Sequence, residues 1–295
     1  MDPLVFALVA GAAVLHVAWN VLLKTAGDPL RAAAIGMTSG ALVIIPGATI
    51  GWFLIGRPPI PQEALVLGVA SGVFEAGYFG FLAAAYRRGD LSVVYPIARG
   101  TAPLLAVAVG IGILGERLGP AGIVGVGALL VGLLTLQRPW RFLRPSGRAG
   151  DPAVMFALAA GVMIAGYSAI DRVGTRVVAP WLYAALIWAF GVLFLWMYVW
   201  LGRLFARSAA PPGPFDARRA AIGGLITFAA YMLILVAFSV APLTAVAPLR
   251  ESAIVLASGW GTLRLGEGAD RREVVRRVGA SALVVVGAIL LAIDG

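Results

Sequence analysis

Ten long apolar segments constrain the fold of this chain more than any other feature of its sequence. Each approaches the roughly 20 residues that an α-helix needs to cross a bilayer, and the apolar residues run continuously instead of alternating as in a membrane β-barrel. Only 13% of the residues are charged, whereas a soluble domain carries about 25%. The predicted segments are 3–24, 32–55, 64–86, 91–114, 120–137, 152–171, 180–202, 220–240, 243–263 and 275–293. The sequence therefore predicts an all-α polytopic membrane protein.

The residue types of metal and thiol chemistry are nearly missing. The chain contains no cysteine and a single histidine, His16, so neither a thiolate site nor a metal site built from several histidines is expected. The sequence contains no motif of a zinc protease, a P-loop or a serine hydrolase. Its net charge of +9 is better explained by loop arginines than by a nucleic-acid surface. We expect no enzyme activity, catalytic residue, cofactor or metal, and a lipid bilayer instead of nucleic acid as the surroundings.

The two halves of the chain resemble each other at a constant offset. The pairs related by a shift of 151 residues are His16 and Tyr167, Asn20 and Asp171, Arg99 and Arg250, and Glu116 and Glu267. Five helices is an odd number, so the second copy must enter the membrane with the opposite orientation. We predict two inverted five-helix repeats, residues 1–145 and 146–295, an arrangement that gives many transporters two alternative faces.

The basic residues between the segments predict how the chain is oriented. Seventeen lysines and arginines lie in or beside the 1–2, 3–4, 5–6, 7–8 and 9–10 connections, and four lie in the 2–3, 4–5 and 6–7 connections. Because the positive side of a membrane protein faces the cytoplasm, this bias places both termini outside. We expect a multi-pass protein of a bacterial-type inner membrane.

Glycine pairs spaced by four residues predict close helix packing. They are Gly36 and Gly40, Gly47 and Gly51, and Gly68 and Gly72. Small residues at this spacing let two helix backbones approach each other. We interpret the pairs as packing within one chain, which leaves a monomer as the expected state.

Three short motifs lie in helix 1, in helix 4 and before helix 5. They are His16-x-x-Trp19-Asn20-x-x-x-Lys24, Tyr95-Pro96-Ile97-Ala98-Arg99-Gly100 and Leu114-Gly115-Glu116-Arg117-Leu118, the last echoed at Leu265-Gly266-Glu267. With these motifs the whole chain resembles the drug/metabolite transporter superfamily, in its EamA-type ten-helix branch. The resemblance implies a 5+5 inverted repeat, a central cavity lined mainly by helices 1, 3, 4, 6, 8 and 9, and export of amino acids or other metabolites. It also implies cytoplasmic termini, opposite to the orientation that the basic residues predict.

Ionisable side chains within the apolar segments are the strongest candidates for function, since burying each costs about 2.5–3.5 kcal/mol on insertion scales. Arg99 and Arg250 each follow a proline in the fourth helix of their repeat. Two guanidiniums near a pseudo-two-fold axis could hold a carboxylate or a phosphate. The alternative is that Glu75, Asp171 or Glu251 already neutralises each arginine.

The other candidates also allow two interpretations. Glu75 could pair with Arg99, take up a proton or contact substrate, and Asp171 could be an interfacial charge or could face the cavity. His16 and the aromatic residues could line the cavity or pack between helices. The candidate substrate-binding residues are His16, Trp19, Asn20, Glu75, Tyr78, Tyr95, Arg99, Tyr167, Asp171, Tyr231, Arg250 and Glu251.

These features together predict a secondary transporter that exports small metabolites by alternating access around a cavity at the midplane. The expected substrate is an amino acid, a similar zwitterion or an organic anion. A flippase for a lipid-linked phosphate is the alternative, since it would also use paired arginines. An intramembrane enzyme and a membrane scaffold without transport activity are less favoured.

Overall fold

Ten α-helices build the described part of the chain. The computed structural model describes residues 2–89, 91–138, 151–205, 215–251 and 271–294, and every regular element in these ranges is helical. The helices are α1 (Pro3–Thr25), α2 (Pro29–Leu54), α3 (Gln62–Tyr86), α4 (Leu91–Gly112), α5 (Pro120–Gln137), α6 (Pro152–Val177), α7 (Pro180–Phe205), α8 (Ala217–Val240), α9 (Leu243–Arg250) and α10 (Arg271–Asp294). The predicted segments agree with these helices, with two differences.

The two differences concern α6 and α9. The sequence predicts that helix 6 ends at residue 171, but α6 continues to Val177. The apolar run ends at the charged residues Asp171 and Arg172, but the helix continues. Arg172 is accommodated because it binds Glu116 and the Phe238 carbonyl inside the protein. Helix α9 is described as far as Arg250, so most of the predicted segment 243–263 lies outside the described residues.

Local signals explain where many of the helices begin. Proline is the first residue of α1, α2, α5, α6 and α7, where its missing N–H costs nothing and its fixed φ suits the first turn. The Asp28 carboxylate accepts a hydrogen bond from the Arg31 backbone N–H at 2.8 Å, and Asp151 caps α6 in the same way through Ala153 at 2.9 Å. These caps satisfy N–H groups that would otherwise lack a partner.

The outer surface of the helices is apolar, as in a protein surrounded by lipid. Helices α2, α3, α6, α7 and α8 are long and apolar enough to cross a membrane, and shorter apolar stretches occur in α1, α4, α5 and α10. Large side chains such as Leu42, Leu54 and Ile113 are exposed. Since water would not solvate so much apolar surface, the chain is a multi-pass membrane protein.

Most of the close helix packing joins the first five helices to the last five. Helix α1 packs against α8, and α6 packs against α3. Likewise α2 packs against α8 and α7 against α3, while α2–α7, α4–α9 and α5–α10 pair directly. Exchanging each of the first five helices with its counterpart in the last five (α1 with α6, α2 with α7, and so on) gives the same set of pairings. The division into two repeats, residues 1–145 and 146–295, stays a prediction.

Two of the three glycine pairs lie at close helix contacts. A Cβ atom on Gly36 would touch Gly224 of α8, and one on Gly72 would meet Gly191 of α7. A Cβ atom on Gly47 would meet nothing within 4 Å. The prediction of close packing is therefore wrong for Gly47, which faces away from the other helices.

Contacts between the connections show which of them lie together. Arg87, after α3, forms a 2.9 Å ion pair with Asp28, before α2. The Asp216 N–H, before α8, donates to the Ala26 carbonyl at 3.0 Å. At the opposite end, the Gly119 N–H donates to Asp294 at 2.9 Å. The 1–2, 3–4 and 7–8 connections, which are rich in basic residues, thus share one end of the molecule.

We expect the C-terminus to be periplasmic. The basic connections should face the cytoplasm, and α10 ends at the opposite end of the molecule. A reporter fused after residue 295 that is active only in the periplasm should be active, and a reporter active only in the cytoplasm should be silent. A fusion in the 3–4 connection is the control and should give the reverse pattern. An active cytoplasmic reporter at the C-terminus would reject this orientation in favour of the one that the family resemblance implies.

Candidate functional site

Asp171 is the centre of a buried polar cluster. Helix α6 places it six residues before the helix ends, and its side chain is fully buried. Its carboxylate accepts hydrogen bonds from Ser71 of α3 at 2.6 Å, from Tyr183 of α7 at 3.2 Å and from Tyr231 of α8. Three hydroxyls from three helices therefore satisfy a carboxylate that would be costly to bury alone. This burial excludes the interpretation of Asp171 as an interfacial charge.

Arg99 and Arg250 lie close together, as the repeat predicts, and one carboxylate lies between them. The Glu251 Oε1 atom accepts a hydrogen bond from Arg99 at 2.9 Å and from the Arg250 Nε at 3.3 Å. All three side chains are buried. Arg250 also contacts the Ser168 hydroxyl at 3.5 Å. Glu251 thus acts as the acidic partner that the sequence analysis considered for both arginines.

Aromatic residues connect the two groups of charges. The guanidinium of Arg250 lies 6.0 Å from the centre of the Tyr167 ring, and Tyr167 meets the rings of Tyr78 at 6.2 Å and Tyr231 at 5.9 Å. The Tyr231 hydroxyl donates to Asp171, and Tyr231 lines the same cavity as Glu75. The predicted residues from α3, α6, α8 and α9 therefore form one continuous cluster.

A cavity with an internal volume of about 40 Å³ borders this cluster. Its walls come from α1, α2, α3, α7 and α8. The lining residues are Trp19, Ala32, Ala33, Gly36, Met37, Glu75, Phe79, Trp188, Ala220, Gly223, Gly224, Thr227 and Tyr231. The family resemblance implied walls from α4, α6 and α9, but the charged groups of those helices contact one another and the tyrosines instead. Glu75 and Tyr231 belong to both the cavity and the cluster.

The helix 1 candidates lie at the edge of this site. Trp19 is buried and lines the cavity, and its indole N–H has no hydrogen-bond acceptor among the described residues. His16 contacts the Trp19 ring edge-on, with 6.0 Å between ring centres. The side chains of Asn20 and Tyr95 lie outside the described part of the structure.

Several residues of this site were not predicted from the sequence. Ser71, Ser168, Tyr183 and Trp188 were not singled out because isolated hydroxyls and aromatic rings are common in membrane helices. The only available signal was their position within segments that also carry ionisable residues. Serine and tyrosine hydroxyls bind the buried charges here, since a buried charge needs hydrogen-bond partners within the protein.

A second polar contact lies on the end of the molecule where α6 terminates. Glu116, from the α4–α5 connection, accepts hydrogen bonds from the backbone N–H groups of Leu243 and Thr244 at 2.7 and 2.9 Å. It also forms a 3.2 Å ion pair with Arg172, whose guanidinium donates to the Phe238 carbonyl at 2.6 Å. Glu116 therefore caps the start of α9 and joins it to α6, in addition to shaping its own loop.

Comparisons with known proteins agree with this architecture. The model of the EamA-like transporter family matches residues 3–137, which span α1 to α5. A protein solved by crystallography is 23% identical, with 98% of this chain and 96% of that chain covered and a TM-score of 0.68. At this identity the match shows a shared fold only. No curated protein matches the chain at a significant level.

Proposed function

We propose that this chain, whose residues 3–137 match the model of the EamA-like transporter family, exports small metabolites across a bacterial inner membrane by alternating access. The family implies a membrane transporter of small molecules. Export, alternating access and an amino acid, zwitterion or organic anion as substrate are our proposal. The inner membrane is proposed from the same family expectation.

The observation that carries the proposal is the charge cluster beside the cavity. Glu75, Asp171 and Glu251 supply three carboxylates and Arg99 and Arg250 supply two guanidiniums, all at most 6% exposed. Ionisable groups inside membrane segments are expensive and mark transport pathways when they border a cavity. A purely structural bundle would be more stable with apolar side chains at these positions.

The shared contact of both arginines with Glu251 bears on the choice of function. A flippase for a lipid-linked phosphate would present two guanidiniums to the phosphate, whereas here they bind the same carboxylate oxygen. No arginine or lysine occurs among the described residues that line the cavity, so this lining offers a phosphate headgroup no cationic partner. We therefore favour the small-molecule transporter.

Transport by the purified protein in proteoliposomes tests this function. We expect uptake of at least one compound from a panel of amino acids, organic amines and organic acids, measured with and without a pH gradient. Protein-free liposomes and liposomes with the Trp188→Arg variant, which places a large cation against the cavity wall, are the controls. Uptake no greater than in protein-free liposomes for the whole panel would contradict the proposal.

If a proton gradient drives transport, we expect Asp171→Asn to abolish accumulation against the gradient while exchange of substrate across the membrane continues. Asparagine keeps the shape of the side chain but cannot bind and release the transported proton. Glu63→Gln is the matched control, because Glu63 is an exposed carboxylate in the first turn of α3. Gradient-driven accumulation at the wild-type level in Asp171→Asn would exclude Asp171 from the coupling.

A further inference from the structure

The charge of the cavity lining differs from that of the arginine pair behind it. Glu75 is the one charged residue among the described residues that line the cavity. Arg99 and Arg250 are not among those residues, and both contact Glu251. An organic molecule that enters the cavity therefore meets a carboxylate first, and a positively charged group is the natural partner of a buried carboxylate.

The rings around the cavity have the chemistry of a cation site. Trp188 lies edge-on to Tyr231 and to Phe228, with 5.3 Å between ring centres in each case. Trp19 and Phe79 contribute two further rings to the lining. The negative faces of such rings attract ammonium groups, and several rings together recognise quaternary ammonium ions.

Small residues form the part of the cavity wall that comes from α2 and α8. Gly36 of α2 and Gly223 and Gly224 of α8 line the cavity together with alanines of both helices. Gly36 and Gly224 touch backbone to backbone, so α2 and α8 meet at the edge of the cavity. Glu75 and Tyr231 lie near the middle of α3 and α8, so a ligand beside them is at the depth where a transporter binds its substrate.

We propose that this cavity binds the cationic amine group of the substrate, with the ammonium between the Glu75 carboxylate and the rings of Trp188 and Tyr231. The inference rests on the proposed transport function and names its substrate class as an organic cation or the amine end of a zwitterion. It reverses the expectation that the arginines select a negatively charged group. Because Tyr231 donates to Asp171 and lines the cavity together with Glu75, it links the ligand to the charge cluster.

Calorimetric binding to the purified protein in lipid nanodiscs tests the proposal. The probes are tetramethylammonium, choline and benzyltrimethylammonium, together with 3,3-dimethylbutanol, the neutral isostere of choline. We expect at least one ammonium ion to bind, and choline to bind at least tenfold more tightly than its isostere. Absence of binding by all three ions, or equal affinity for choline and 3,3-dimethylbutanol, would overturn the proposal.

Substitutions in the cavity lining test whether choline binds there. Glu75→Gln should remove the preference for choline over its isostere, and Glu63→Gln on the same helix should retain it. Trp188→Leu should weaken choline binding several-fold, whereas Trp200→Leu, at an exposed position of α7, should not. A preference that survives in Glu75→Gln contradicts the proposal, and the wild-type comparison decides the question if that variant does not fold.

Proteoliposome transport separates this inference from the proposed function. If the protein transports an organic acid or a neutral compound and binds no ammonium ion, the cation site is wrong and the transport function stands. If ammonium ions bind with the expected preference but no compound is transported, the cation site stands and the transport function is wrong.

Discussion

Replacing Glu251 with glutamine is expected to destabilise the protein by about 3–5 kcal/mol, since removing one partner of a buried ionic group leaves an uncompensated charge. Here one carboxylate contacts two buried guanidiniums, at 2.9 Å from Arg99 and 3.3 Å from Arg250. Glutamine retains the shape of the side chain and loses its charge. We expect a sharp fall in the yield of monodisperse protein and a lower unfolding temperature in detergent.

The matched control for Glu251→Gln is Glu63→Gln, which removes an exposed carboxylate and should leave the unfolding temperature unchanged. The double variant Arg99→Leu with Glu251→Leu replaces one of the ion pairs by apolar side chains and should recover part of the stability. A Glu251→Gln protein as stable as Glu63→Gln would mean that Glu251 does not neutralise the arginines, and the anion-binding interpretation of the pair would regain support.

Replacing Gly224 with alanine is expected to force α2 and α8 apart. A Cβ atom at this position would overlap the backbone of Gly36 on the facing helix, which cannot move aside as a flexible side chain could. Overpacking of this kind typically costs about 1–3 kcal/mol, and more when only backbone is available to shift. We expect a lower unfolding temperature and, since both glycines line the cavity, weaker ligand binding as well.

Gly47→Ala is the matched control for this change, because Gly47 lies in α2 and a Cβ atom there meets nothing within 4 Å. Alanine should be neutral or stabilise the helix slightly at this position, by up to about 1 kcal/mol. Equal unfolding temperatures for Gly224→Ala and Gly47→Ala would show that α2 and α8 do not approach each other as closely as described.

The helices could be predicted from the sequence because their signals are local. A continuous apolar run of the right length can only be a helix in lipid, and prolines and aspartates define several starts within a few residues. The pairing of Arg99 with Arg250 by a shift of 151 residues also identified two side chains that do lie together. Where charge interrupts hydrophobicity, as at Asp171 and Arg172, the prediction ended α6 too early, since the apolar pattern does not reveal distant partners.

The partners of the buried charges were decided by the tertiary structure. Ser71 donates to Asp171 over a separation of 100 residues, and Arg99 donates to Glu251 over 152 residues. The sequence offered three carboxylates for these arginines and no means of choosing among them. The choice depends on where helices cross and how they are rotated about their axes, which is set by contacts such as that of Gly36 with Gly224.

The tertiary structure also decided which residues line the cavity. The sequence alone determined that acidic, basic and aromatic residues lie within membrane segments, because lipid permits no other place for the apolar residues around them. Only the packing of α2 and α7 against α3 and α8 decided that Trp188 and Glu75 line one cavity while the arginines lie behind it. Amphipathic patterns specify which residues avoid water, but neighbours in lipid are selected by shape and by hydrogen bonding.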